Sequence, residues 1–158
     1  MLLNNALYLA WADTKARYKK SVLGPLWLTL SSMVGVLGLG LVWGTLLEED
    51  MNTFVPSLSI GLIIWFLISG AVGDGATTFI LQSSVIRNVS IPHLFFVIRA
   101  LARHVINLAH NLVIVLIVVL YFNVELTLNA LLVIPGFLLV LANLFWITFF
   151  LGMVGARY

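Results

Sequence analysis

Four apolar runs, each of more than twenty residues, constrain this chain more than any other feature. They cover residues 26–47, 57–80, 98–121 and 129–154. At a rise of about 1.5 Å per residue, a helix needs about 20 apolar residues to cross a hydrocarbon core of roughly 30 Å. Because 62% of the residues are hydrophobic and only 9% are charged, a single soluble core is excluded. We therefore expect an all-α integral membrane protein with four transmembrane helices.

The segment before the first run, residues 1–22, mixes apolar and charged side chains. As a helix, residues 3–20 place a largely apolar set on one face, namely Leu3, Leu7, Trp11, Thr14 and Tyr18. Another face carries Asp13, Arg17 and Lys20, and Asp13 has the i,i+4 spacing to Arg17 that favours an ion pair. This pattern predicts an amphipathic helix that lies in the membrane interface instead of crossing it.

A basic cluster and a helix break follow. The cluster consists of Lys15, Arg17, Lys19 and Lys20. Each such charge gains about 1 kcal/mol near an anionic leaflet, so we expect this segment to contact membrane lipid. Gly24 and Pro25 predict the end of one helix and the start of the next. Glycine is favoured just past a helix C-terminus and proline in the first turn of a helix.

Two features of the first two runs bear on packing. Gly40 and Gly44 form a G-x-x-x-G pair, which favours close helix contact either within the bundle or between two copies. Asp74 lies inside the second run, where a carboxylate costs about 2.5–3.5 kcal/mol unless it faces protein or water. It either lines a cavity or gate, or is satisfied by Thr77, Thr78 or backbone near the cytosolic end.

The segment 82–97 interrupts the apolar pattern. Its first part predicts a short amphipathic helix made of Gln82, Ser83, Ser84, Val85, Ile86, Arg87 and Asn88. We expect Ser83 or Ser84 to cap this helix and Pro92 to end or redirect it. Such a helix is suited to docking a cytosolic partner, and a plain connector is the alternative.

Polar side chains recur at helical spacing along one face of the third run. They are Arg99, Arg103, Asn107, His110 and Asn111. A polar stripe on a spanning helix faces the bundle interior or a wet path. It either lines a channel, with Asp74, Arg103, Asn107 and His110 as candidates, or makes interhelical hydrogen bonds and headgroup contacts. His104 and His110 do not share a helix face, so no metal site is predicted.

The charges predict the topology. All eight lysines and arginines fall on one side of a four-span arrangement, whereas Glu48, Glu49, Asp50 and Glu125 fall on the other. The positive-inside rule then places the N-terminus and the segment 82–97 in the cytosol. Because the basic residues lie beside apolar runs, we expect no nucleic-acid partner. The chain contains no cysteine, which excludes disulfides and thiolate metal sites.

Three stretches resemble one family. Residues 12–31, A-D-T-K-A-R-Y-K-K-S-V-L-G-P-L-W-L-T-L-S, resemble the N-terminal motif of the membrane subunits of bacterial ABC-type polysaccharide exporters, which move O-antigen, capsule or teichoic acid precursors. The segment S-S-V-I-R-N-V-S-I-P at residues 83–92 and the final G-A-R-Y are also similar to this family. The resemblance covers the whole chain, but family members continue into two further spans, so we expect this chain to be the N-terminal part of a six-span permease.

The resemblance implies a homodimer in the bacterial inner membrane, working with two copies of a cytosolic ATPase that binds ATP and magnesium. The lipid-linked polysaccharide would pass between the two permeases. The interface helix, through Trp11, Asp13, Lys15, Arg17, Tyr18, Lys19 and Lys20, would rest against the ATPase. Residues 82–90 would form the coupling helix. This chain lacks the G-x-x-x-x-G-K-[ST] motif, so we expect no nucleotide cofactor and no catalytic residue in it.

Other interpretations remain open. A related ABC permease for drugs or lipids would share the spans and the coupling segment. A secondary transporter or ion channel would use Asp74, Arg103 and His110 as a relay and would need no ATPase. A membrane scaffold is a third alternative, which the polar stripe in the third run disfavours.

Overall fold

The computed structural model describes residues 2–17, 19 and 26–157. In these ranges the fold is built from helices, with no strand. The α-helices are α1 (Leu2–Arg17), α2 (Leu26–Leu46), α3 (Met51–Leu81), α4 (Ser83–Asn88), α5 (His93–Tyr121) and α6 (Val133–Arg157). A 3-10 helix, Leu128–Leu132, leads into α6. The predicted all-α fold class is confirmed.

Four segments are long and apolar enough to cross a membrane, as predicted. They are Thr29–Leu46, Met51–Leu81, His93–Tyr121 and Leu128–Arg157. Two helices begin earlier than expected. The α3 helix starts at Met51 because Asp50 caps it, its carboxylate accepting a hydrogen bond from Asn52 N at 3.2 Å, and Pro56 lies inside the helix instead of ending the loop. The α5 helix starts directly after Pro92, whose φ of −58° suits a helix start.

The α3 helix is central and packs against α2, α5 and α6. Glycines make two of these contacts close. A Cβ on Gly44 would lie 2.6 Å from Met51 Sδ, and one on Gly75 would lie 3.1 Å from Thr148 Cα. The Gly40 and Gly44 pair therefore packs α2 against α3 within this chain, which favours the intrachain interpretation of the G-x-x-x-G motif.

The α1 helix packs against α5, mainly through small side chains rather than through its large apolar ones. Ala6, Ala10 and Thr14 are buried, whereas Leu3 and Trp11 are 55% and 51% exposed. Small side chains let two helix backbones approach closely, so they occupy the contact. Leu3 is left for lipid or a partner, whereas the half-exposed Trp11 stacks on His110 of α5. Of the predicted motif, Tyr18, Lys20, Gly24 and Pro25 lie outside the described residues.

The α4 helix follows α3 with a single residue between them. Gln82 is at once the C-cap of α3 and the N-cap of α4. It makes no side-chain capping hydrogen bond, and the predicted cap at Ser83 or Ser84 is wrong, because both serines lie inside the helix. Backbone bonding begins with Ile86 N to Gln82 O at 2.9 Å.

Candidate functional site

A three-residue polar cluster joins α3 to α5. The carboxylate Oδ2 of Asp74 accepts hydrogen bonds from Arg103 Nη2 at 3.2 Å and from His104 Nε2 at 3.0 Å. The hydroxyls of Thr77 and Thr78 donate to the backbone oxygen of Asp74 instead. The hypothesis that these threonines satisfy the Asp74 side chain is therefore wrong, because α5 supplies stronger donors across the helix contact.

Gly70 makes room for this cluster. A Cβ at position 70 would lie 2.8 Å from Cε1 and Nδ1 of the His104 ring, which is closer than real Cβ atoms approach. His104 is not part of the predicted polar stripe, since it lies about 100° around α5 from Arg103. A glycine one helical turn before an intramembrane aspartate is the signal in the sequence that could have indicated it.

A second ion pair joins α1 to α5. Arg99 donates from Nη2 to Asp13 Oδ1 at 2.6 Å and from Nε to Asp13 Oδ2 at 2.8 Å. This two-point geometry is the strongest that an arginine and a carboxylate form. The predicted pair between Asp13 and Arg17 is thus replaced by a tertiary one, and Arg17 is exposed.

A cavity of about 450 Å³ lies between α1, α3 and α5, beside both ion pairs. Its charged lining comprises Asp13, Arg17, Asp74, Arg99 and Arg103. Three guanidinium groups and two carboxylates leave its wall with one net positive charge. Gln82, the residue that joins α3 to α4, also lines it. The charged cavity therefore contacts the start of the predicted coupling segment.

A second cavity, of about 440 Å³, lies between α2, α3 and α5. Its polar lining comprises Ser31, Ser32, His104, Asn107 and Asn111. Asn111 is 5% exposed, and in the described part of the chain its Oδ1 has no hydrogen-bond partner. Since buried amide oxygens are nearly always paired, Asn111 indicates that this cavity admits water or a polar ligand. His104 lines this cavity while bonded to Asp74, which lines the first one.

The four residues predicted to line a channel thus lie in different places. Asp74 and Arg103 line the charged cavity, and Asn107 lines the second. His110 faces elsewhere: its Nδ1 lies 2.8 Å from Ile106 O, and its ring stacks on Trp11 with centroids 6.5 Å apart. Whether any of them contacts a substrate stays a prediction.

The remaining predicted positions lie on the surface. In α4, Ile86 is half-buried against the core, whereas the side chains of Ser83, Ser84, Val85, Arg87 and Asn88 are exposed. Lys15 and Lys19 are also exposed. Within the ranges that the structure describes, no cluster of three or more metal-binding side chains occurs. Both α1 and α4 thus present exposed polar side chains on the surface.

Comparison with known proteins gives one informative similarity. No family model matches the chain, and no solved structure matches it. The chain is similar to the O-antigen export system permease protein RfbA of Myxococcus xanthus, with 29% identity over 80 residues. The matched stretch covers 51% of this chain and 31% of that relative's length. This similarity agrees with the resemblance to polysaccharide export permeases that the motifs indicated.

Proposed function

We propose that this chain is the transmembrane subunit of an ABC transporter that exports a lipid-linked polysaccharide, O-antigen above all, across the bacterial inner membrane. The observation that carries the proposal is the similarity to an O-antigen export permease in a chain with four helices able to span a membrane. Two copies of the chain would work with two copies of a cytosolic ATPase. ATP and magnesium would bind to that partner, and this chain would make and break no bonds.

In this proposal the ATPase transmits its conformational change to the transmembrane helices through α4. Its exposed face offers Val85 and Arg87 to a partner, while Ile86 holds the helix against the core. Gln82 lies eight residues from Asp74, about 12 Å along a helix axis, and both line the charged cavity. A displacement of α4 would therefore be transmitted over a short distance along α3 to Asp74, whose side chain joins α3 to α5.

In this proposal the ATPase also acts on the transmembrane helices through α1. Because Asp13 holds Arg99 by two hydrogen bonds, pressure on the exposed face of α1 is transmitted to α5. Residues of α1 and Gln82, which joins α3 to α4, line the same cavity. In this proposal Asp74, Arg103 and Asn107 line the channel, whereas His110 positions α1 through its contact with Trp11.

The decisive experiment is co-purification of the full-length membrane protein in detergent. We expect an ATPase to be retained by the native protein and lost when the exposed residues Val85 and Arg87 are both replaced by aspartate. Glu125→Gln, on the predicted opposite side of the membrane, is the matched control and should retain the partner. If the native protein brings down no ATPase, the ABC exporter proposal is wrong.

One observation favours a second candidate, a proton-coupled transporter. The hydrogen bond between Asp74 and His104 links groups that line different cavities, which is the arrangement a proton relay needs. This candidate requires no ATPase. Substrate uptake into proteoliposomes driven by a pH gradient alone would establish it, and dependence on added ATPase would exclude it.

A further inference from the structure

The charged cavity between α1, α3 and α5 lies at the depth of lipid headgroups. Met51, the first residue of α3, and Tyr121, the last residue of α5, line one apolar cavity, so the two helices share that end of the bundle. From Met51, Asp74 lies about 34 Å along the axis of α3, and from Tyr121, Arg99 lies about 33 Å along α5. A hydrocarbon core is about 30 Å thick. Both side chains therefore lie just beyond the core, where the headgroups of one leaflet begin.

The cavity has more hydrogen-bond donors than its carboxylates use. Asp13 accepts two hydrogen bonds from Arg99, and a guanidinium has five N–H donors. Asp74 accepts one hydrogen bond from Arg103, whose Nε is buried and has no partner among the described residues. Arg17 adds a third guanidinium to the lining. The lining therefore carries one net positive charge and N–H donors that the two carboxylates do not engage.

A phosphate group suits this lining. Guanidinium groups bind phosphate through paired, charge-assisted hydrogen bonds, and basic pockets between transmembrane helices bind phospholipid headgroups. Ala16, Leu81 and Phe96 add apolar surface to the same cavity, which suits the glycerol end of a lipid better than a fully hydrated ion. The volume of about 450 Å³ lies within the range of ligand-binding cavities, about 300–1,000 Å³.

We propose that the charged cavity binds the phosphate headgroup of an anionic phospholipid, which Arg17 of α1 and Arg103 of α5 hold. The bound lipid then joins α1 to α5 in addition to the ion pair between Asp13 and Arg99. The inference goes beyond the proposed function, because this phospholipid is a resident partner and not the exported polysaccharide. It requires neither an ATPase nor a transported substrate.

Native mass spectrometry of the purified full-length protein tests the proposal. The protein in detergent is titrated with phosphatidylglycerol or with phosphatidylcholine of the same chain length, and the Kd of the first bound lipid is measured. We expect phosphatidylglycerol to bind at least about fivefold more tightly, because the positive lining repels the choline ammonium. Equal affinity for the two lipids would overturn the proposal.

Two charge-matched variants of α1 locate the binding. Arg17→Gln and Lys15→Gln each remove one positive charge from an exposed position of the same helix, but Arg17 lines the cavity and Lys15 does not. At constant ionic strength, we expect Arg17→Gln to weaken binding of the first phosphatidylglycerol at least about fivefold and Lys15→Gln to weaken it less than about twofold. Equal effects would show that the overall charge of α1 attracts the lipid, and the cavity site would be wrong.

Free phosphate is the other source of the same chemical group. Inorganic phosphate, added at the concentration of phosphatidylglycerol, should leave the lipid bound, because the cavity lies at headgroup depth and has apolar lining. Sulfate at equal ionic strength is the control for screening. Displacement of the lipid by phosphate but not by sulfate would show that the free anion is the ligand, and it would overturn the assignment to a phospholipid.

Discussion

Asp13 and Arg99 lie 86 residues apart in the sequence and form a two-point ion pair, with N–O distances of 2.6 Å and 2.8 Å. The pair fixes α1 to the first half of α5. Both side chains are partly exposed, at 28% and 21%, so the pair combines partial desolvation with good geometry. The orientation of α1 therefore depends on one specific contact as well as on the packing of small residues.

Removing this pair should release α1. We expect Asp13→Asn to cost about 1–3 kcal/mol, because it leaves a partly buried guanidinium without its carboxylate. Amide hydrogen exchange should rise across α1 and stay unchanged in α3. Lys15→Gln, at an exposed position of the same helix, is the control. Partial recovery in the double variant Asp13→Arg with Arg99→Asp would show that the charge pair itself matters, and equal exchange in Asp13→Asn and native protein would contradict the prediction.

The cluster around Asp74 should be sensitive to loss of charge. Asp74→Asn would leave Arg103 and His104 facing a neutral amide, and we expect a loss of about 1–3 kcal/mol together with reduced transport. The apparent Tm and export in cells measure the two effects. Ser69→Ala, at an exposed position of the same helix, removes one hydrogen bond to the backbone oxygen of Trp65 and should behave like native protein. Native behaviour of Asp74→Asn would show that the cluster has no structural role.

Gly70 and Gly73 offer a matched pair of substitutions. A methyl group at position 70 would overlap the His104 ring, whereas at position 73 no described atom lies within 4 Å of it. Gly70→Ala should therefore destabilise the protein by about 1–3 kcal/mol through overpacking. Gly73→Ala should be neutral or slightly stabilising, because alanine favours the helix by about 1 kcal/mol relative to glycine. Thermal unfolding in detergent compares them, and equal values would mean that His104 can move aside at no cost.

The second cavity should be wet. The thiol of Asn107→Cys is expected to react with a small water-soluble reagent, because Asn107 lines the cavity. The thiol of Ile114→Cys should not react, since Ile114 is 1% exposed within an apolar cluster. The ratio of the two labelling rates, measured in membrane vesicles, should be at least about tenfold. Comparable rates at both positions would argue against a hydrated cavity.

The sequence predicts the spans well because hydropathy over about 20 residues is a local property. It predicts contacts less well. The burial of Ala6 and Ala10 depends on how closely α5 approaches, so the large apolar residues of α1 do not indicate which of its side chains are most buried. The i,i+4 rule favours Arg17 as the partner of Asp13, but a residue in another helix binds it with better geometry.

The candidate site, like the fold, could be predicted from the sequence only in part. Asp74 and Arg103 can be identified from the cost of charge in a membrane, which the sequence alone reveals. His104 cannot be found along the polar face of α5, and its relation to Asp74 exists only once α3 and α5 pack together. The predicted start of α3 is too late because proline usually marks a loop, although the capping carboxylate of Asp50 lies six residues before Pro56.

Gln82 ends α3 and begins α4, and this has a mechanical consequence. A flexible connector of several residues would absorb a small movement of α4 through its own torsion angles. One shared residue has only one φ and one ψ available, so it can absorb less of the movement before α3 is affected. In the proposed mechanism this short junction, rather than the strength of any single contact, would determine how much of a push on α4 arrives at Asp74.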